Sequence, residues 1–382
     1  MQTLRRGANA TLNRDVWSIE ERVGVARAPG VREILESLRC GDIFIWIGRA
    51  DLDAFARNDA QPEPPADSKL ITHRMRRRGV RTILYQTEPI GPATRGLVWS
   101  TSFCADETSP FVEIWDYSHA NIKRYWDHCP VGVTRPIVRY VPPGVVPEMT
   151  VKRADVIDNC VVNGTGMLGN MNFPERVQYV RMLRSQAIQS LNASQGAFAV
   201  RDGDGRNDYD ALVRWLRQYC VQLNVHRFAK YPNSAFEPFR ASTTVSAGSL
   251  LVSQQSDVDD QREYAGIVHF ADTPQAHGAE VARLVTLPDE ERRALARARA
   301  KLFDEKFAPE RIFANASIRN ILNDEMPAYC TGIPHATSGD ASSSRSVVEH
   351  TRTMQQPKAV TQQAEAVTLT RLYRLRNVTS KR

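Results

Sequence analysis

The sequence predicts an α/β protein built as two parallel-sheet domains in series. Three observations predict it. Short continuous apolar runs recur in both halves, IFIWI and TILY early, LLV and GIVHF late, and such runs suit strands buried on both faces. Segments with helical periodicity separate them. A proline-rich stretch near the middle, VPPGVVPEMT, reads as the linker between the two sets.

The chain has 382 residues, enough for two domains of ordinary size. We place them at 1–150 and 151–330, with 331–382 as a tail. Apolar residues make up 42% and charged residues 24%, the balance of a globular protein in water. No apolar run reaches the roughly 20 residues of a membrane-spanning helix. The first 15 residues read as a loose leader with arginines but no apolar segment behind them, so no signal peptide is expected. Six cysteines lie far apart in sequence, several in apolar runs. They are expected to be buried free thiols in a reducing, cytosolic compartment. The net charge of +7 suits anionic ligands. The densest basic run, residues 73–81, has no interleaved aromatics, so nucleic acid is not an expected partner.

In the first half, 29–38 has a helical stripe of Val31, Ile34, Leu35 and Leu38, and 43–48 is a strand. Residues 58–68 form a polar loop and 70–78 a helix. The next strand, 82–85, delivers Gln86, Thr87 and Glu88 to its carboxyl end. The strand at 112–116 delivers Asp116, Tyr117 and Ser118. A short helix over 121–126 and a strand over 136–141 complete this half.

The second half opens with a strand at 156–162 and a glycine-rich turn holding Gly164, Gly166 and Gly169. Pro174 then starts a helix to about 189. A strand, turn and helix N-terminus in that order can cradle phosphate. The spacing matches neither GxGxxG nor a P-loop, and an ordinary connection accounts for it equally. After a strand at 197–200, RDGDGRNDYD has the look of a calcium loop but holds Arg206 at a ligand position and Val213 in place of the closing glutamate. A helix over 209–217 follows. Strands at 221–225, 250–252 and 266–270 flank a helix over 235–247, and helices follow at 276–284, 288–307 and 309–323. The tail is rich in Ser, Thr, Gln and Arg and reads as disordered.

Ligands of open parallel sheets bind beyond the carboxyl ends of the strands. His226, Glu237, Arg240, Ser253 and Gln254 fall just past, or between, such ends. Glu237 and Arg240 are three apart and share a helix face. A carboxylate can accept two ribose hydroxyls, and a guanidinium can fork onto a phosphate. A solvated Glu–Arg pair beside a satisfied histidine would account for the same residues.

The order of the pieces resembles the GT-B glycosyltransferases, in particular a group-1-like set of small members. The similar segments are ILYQTEP, EIWDYSHANIKRY, VRYVPPGV, the strand and turn at 156–169, LNVHRF, FEPFR, LLVSQQSDVDD and YAGIVHFAD, spanning about residues 30–325. The resemblance implies two Rossmann-like domains facing across a cleft, with a nucleotide-diphosphate sugar on the second and a glycan, lipid or protein acceptor on the first. It implies transfer without a metal or other cofactor. Glu237 would receive the donor ribose. Arg240, Lys230 or the turn at Gly164, Gly166 and Gly169 would face the diphosphate, with Ser253 and Gln254 on the donor side. Gln86, Ser118 and Asn121 would line the acceptor side, and the last helix would cross back to the first domain. The catalytic candidates are Asp116, Glu88 and His226. For each strand-end carboxylate, capping of the next helix is the competing reading.

Two departures stand out. The second glutamate expected eight positions from Glu237 is absent, with Ala229 before and Val245 after. Gln254 stands where relatives have an acid, and an amide cannot act as a base. They favour a second reading, a GT-B-shaped protein that binds a nucleotide sugar or a protein partner with weak or no turnover. A sugar-nucleotide epimerase of the same fold would need more catalytic carboxylates and histidines than the chain places.

Overall fold

The structure, a computed structural model, describes residues 17–23, 38–47, 78–87, 89, 113–127, 137–160, 164–169, 171–186, 197–201, 209–226, 234–315 and 371–377. The expected helices near 29–38 and 70–78, the loops at 58–68 and 202–208, Glu88 and Lys230 lie outside these residues.

The strands are β1 Trp17–Val23, β2 Ile43–Ile47, β3 Arg81–Gln86, β4 Glu113–Asp116 and β5 Ile137–Tyr140. Helix α1, His119–Asp127, follows β4. Next come α2 Pro147–Thr150, α3 Arg153–Asp158, β6 Gly164–Leu168, α4 Pro174–Gln186, β7 Ala197–Arg201, α5 Tyr209–Gln218 and β8 Val221–Asn224. The described chain ends with α6 Pro238–Ser246, β9 Leu250–Gln254, α7 Val258–Glu263, β10 His269–Ala271, α8 Pro274–Thr286, α9 Asp289–Lys306, α10 Pro309–Asn315 and β11 Arg371–Asn377.

Two sheets result. The first has the order β1-β11-β2-β3-β4-β5, and the second β10-β9-β8-β6-β7. Strands β2 to β5 are parallel, and so is every pairing in the second sheet. The expected α/β class with two parallel-stranded sheets is what the chain adopts. The apolar run of β9 explains why it reads as a buried strand. Leu250 and Val252 enter one core with Val221, Leu223 and Val281, while Leu251 enters the other. That other core joins the two sheets. Ile45, Ile83, Tyr85 and Trp115 of the first sheet share it with Phe236, Val245, Tyr264, Phe303 and Phe313. The Phe313 ring of α10 meets Trp115 edge-on at 6.1 Å, so this helix does cross to the first sheet.

Four expectations need correction. Residues 156–160, the described part of the strand expected at 156–162, do not form a strand. Val156, Ile157 and Cys160 are buried while Asp158 and Asn159 are exposed, a helical stripe within what reads as an apolar run. The strand is β6, which contains Gly164 and Gly166, so only Gly169 stands at its carboxyl end. A Cβ on Gly166 would lie 2.8 Å from both Gln222 Nε2 and Tyr219 Cβ, and this close approach is why glycine sits inside a strand. The run at 266–270 is a turn as far as Val268. Gly266 has φ of +79°, and the Ile267 and Val268 N–H groups both donate to the Tyr264 carbonyl. The tail is not wholly without structure, because β11 lies between β1 and β2 and pairs antiparallel with each. Cys160 and Cys220 are not free thiols but form a disulfide, and Cys40 is disulfide-bonded too. The cysteines therefore give no support to a reducing compartment. No described helix is long and apolar enough to cross a membrane.

Candidate functional site

The carboxyl ends of β6, β8 and β9 meet the N-terminus of α6. Pro238 opens that helix with the φ it requires, leaving Glu237 as the N-cap residue. Glu237 makes no capping hydrogen bond with its side chain. Instead its carboxylate lies between two arginines. Arg176 Nη2 donates to Oε1 at 3.0 Å and to Oε2 at 3.2 Å. Arg240 Nη2 donates to Oε2 at 3.0 Å, the i,i+3 pair expected from the sequence. Arg240 Nη1 donates to Asn224 Oδ1 on β8, and Asn224 Nδ2 donates to Ser253 Oγ at 2.9 Å on β9. Arg176 Nε caps the end of β8 by donating to the Val225 carbonyl at 3.0 Å. A Cβ on Gly169 would lie 3.0 Å from Arg240 Nη2 and 3.4 Å from Arg176 Nη1, so the bare backbone of β6 lets both guanidinium groups close in.

This cluster holds two cations and one anion, almost wholly out of water. Burial lowers the pKa of Arg240, and Glu237 beside it acts in the opposite direction. His226 adjoins the cluster. Its N–H donates to Gln254 Oε1 at 3.3 Å, and its Nε2 lies 3.0 Å from the Gln254 carbonyl. Burial pushes its pKa down to about 4, so the ring is neutral at ordinary pH.

The first-sheet residues have other tasks. Asp116 is fully buried, and its Oδ1 accepts from the Ser118 N–H at 2.9 Å and from Asn121 Nδ2 at 3.1 Å. Asp116 thus forms the turn that leads into α1, and the cap itself is Ser118, whose Oγ accepts from the Asn121 N–H at 3.3 Å. Ser118 Oγ donates to Asp260 Oδ2 of α7 at 2.6 Å, and the His119 N–H donates to Oδ1 at 2.7 Å. Ser118 is therefore a contact between the two halves. Gln86 is buried at the end of β3 and accepts from the Thr87 N–H at 3.2 Å. Between the halves, the partly exposed Phe239 ring meets Tyr117 at 5.3 Å and Tyr85 at 6.3 Å.

The structure thus brings together Glu237, Arg240, His226, Ser253, Gln254 and Gly169. It leaves Gly164 and Gly166 inside β6, away from this strand end. The sequence reading missed Arg176, Asn224, Asp260 and Phe239. Arg176 did leave a signal. A cation in the first turn of a helix opposes the macrodipole, so it needs a compensating partner.

Solved structures that resemble this chain include glycosyltransferases. An alpha,alpha-trehalose-phosphate synthase (UDP-forming) from Burkholderia xenovorans, in complex with glucose-6-phosphate, is 14% identical over 76% of this chain and 75% of its own, with a TM-score of 0.49. Anabaena HepE, in complex with UDP and glucose, is 11% identical over 68% of this chain and 76% of its own, at 0.44. WaaG, a glycosyltransferase involved in lipopolysaccharide biosynthesis, is 11% identical over 67% and 81%, at 0.42. No family model matches the chain, and no curated protein does.

Proposed function

We propose that this chain transfers a sugar from a nucleotide-diphosphate donor to a separate acceptor, a glycan, lipid or protein, without a metal. The observation that carries the reading is the Arg176–Glu237–Arg240 cluster at the carboxyl ends of the second sheet, where open parallel sheets bind ligands. A carboxylate at this strand end, such as Glu237, is the group that accepts ribose hydroxyls. Two of the five N–H donors of Arg240 go to Glu237 and Asn224, and others can face a diphosphate. Cleavage of the donor builds negative charge on the leaving diphosphate, and fixed cations in a dry site stabilise it without reorganising. We place the acceptor against the first sheet, beside Tyr85, Tyr117 and Phe239.

A second reading, a binding protein without turnover, is favoured by two positions. Val245, where a second glutamate would stand, is buried in the core between the sheets. Gln254 is occupied in holding the His226 backbone and ring.

The test is thermal stabilisation by UDP, GDP, ADP and CMP, run on the wild type and on Glu237→Gln. A ligand at ~100-fold excess over its Kd adds about 2.7 kcal/mol. Selective stabilisation by one nucleotide, lost in the variant, supports the donor site, and transfer or hydrolysis of the matching sugar conjugate then separates enzyme from binder. A folded protein that responds to none of the four overturns the reading.

A further inference from the structure

His226 follows β8 directly and is fully buried. A carbonyl oxygen only accepts, so the contact between Nε2 and the Gln254 carbonyl assigns the ring proton to Nε2. Nδ1 is then a bare lone pair. It is shut off from solvent and has no hydrogen-bond partner. Its neighbours are otherwise well paired, with Asn224 joined to Ser253 and Arg240, and Glu237 held between its arginines. A buried acceptor without a donor forfeits a hydrogen bond, and such exceptions call for an explanation. Placed beside the cluster, this one asks for a donor brought by a ligand. Glu237 favours positive charge at the ring while Arg240 and Arg176 oppose it, and the donor that a nucleotide sugar carries in number is the neutral hydroxyl.

We propose that His226 Nδ1 accepts a hydrogen bond from one hydroxyl of the bound nucleotide sugar and so makes that hydroxyl a requirement of the donor. The inference rests on the donor-site reading above. Nδ1 is enclosed, so the bond forms with a local opening around residue 226 as the ligand seats. The shared chemistry is a hydroxyl, and its source is the ribose or the transferred sugar. Discrimination of this kind is strong because a site that buries an acceptor rejects the analogue that lacks its donor.

The test is a coupling measurement. Affinities are taken for the nucleoside diphosphate that stabilises the protein, its glucose conjugate, the 2′- and 3′-deoxyribose forms, and the deoxyglucose conjugates. Each is measured on the wild type, His226→Phe and His226→Asn. Loss of the paired hydroxyl is expected to weaken wild-type binding about tenfold. His226→Phe should lose the same factor for the complete ligand and nothing further for the deoxy form. His226→Asn, which can offer an amide oxygen, should recover part of it. The deoxyribose and deoxyglucose arms identify the source. A deoxy penalty in His226→Phe equal to that of the wild type overturns the proposal while leaving the donor site standing. Failure of the wild type to bind any nucleotide overturns both. If His226→Phe does not fold, ring nitrogen NMR of the wild type decides. The Nδ1 resonance should move upfield with the complete ligand and stay put with the deoxy form, and a resonance unmoved by either sinks the idea.

Discussion

Arg176 shows how much one side chain carries. It is a buried cation at an unfavourable end of α4, held by the Val225 carbonyl, by both oxygens of Glu237 and by the Phe173 ring, 5.5 Å from its guanidinium carbon. Arg176→Met would leave Glu237 paired with Arg240 but would strip the Val225 carbonyl and one side of the carboxylate of their donor, a loss of about 1–3 kcal/mol. Arg176→Met should therefore lower the urea-unfolding free energy by about that much. Arg176→Lys keeps the charge but not the planar fork, and should fall between the two. Equal stability of Arg176→Met and the wild type would show that Glu237 does not depend on this partner. The identity of Glu237 and Arg240 as a pair was legible from their spacing. Arg176 lies 61 residues from Glu237, so no local pattern ties the two together.

At the scale of elements, the disulfide makes a sharp prediction. Cys160, after α3, and Cys220, at the entry to β8, close a loop with a sequence separation of 60. Chain-entropy reasoning gives about 4 kcal/mol for a loop of that length. Reduction, or Cys160→Ser, should lower Tm by about 10 °C in a domain of this size. A Tm indifferent to reductant would mean that the thiols are not joined in solution. Most strands were legible because their apolar runs are local. The exceptions have local causes too. Residues 156–160 concealed a helical stripe, and the run at 266–270 begins in a turn closed on Tyr264. Strand β11 was not legible at all. Its partners are residues 17–23 and 43–47, at the other end of the chain.

For the whole molecule, Asp260 is the joint. Its carboxylate accepts from Ser118 Oγ and the His119 N–H of the first half, and from the Phe236 N–H, next to Glu237, at 3.1 Å. Lys123 of α1 adds ion pairs to Asp257 at 2.8 Å and Asp259 at 2.7 Å. Asp260→Ala leaves three donors unmet and should cost about 3 kcal/mol, read by urea unfolding. Burial pushes the Asp260 pKa up to about 6, with the bonds from Ser118, Phe236 and His119 pulling the other way. A folded-state pKa raised above the unfolded value of 3.8 means stability fully present below that value and lost as pH rises through about 6. The unfolding free energy of the wild type relative to Asp260→Asn should therefore fall between pH 4 and 6 and level off above 7. A difference that stays flat across that window would rule out the assigned shift.

By itself, the sequence determined the class of this protein and the neighbourhood of its site. Apolar runs such as β2, β3 and β9 are buried on both faces whatever surrounds them, and strand-end polar residues must fall where such sheets bind ligands. Tertiary structure alone decided which of those residues act together. It set Glu237 between two arginines, turned Asp116 into the turn before α1 and made Ser118 both the cap of that helix and half of a joint. It also enclosed His226 with one nitrogen unmet and inserted β11 between β1 and β2. The physical reason is range. Propensity and periodicity act over a few residues, whereas burial and charge pairing are settled by partners such as Ser118 and Asp260, 142 residues apart, that meet only when the chain is folded.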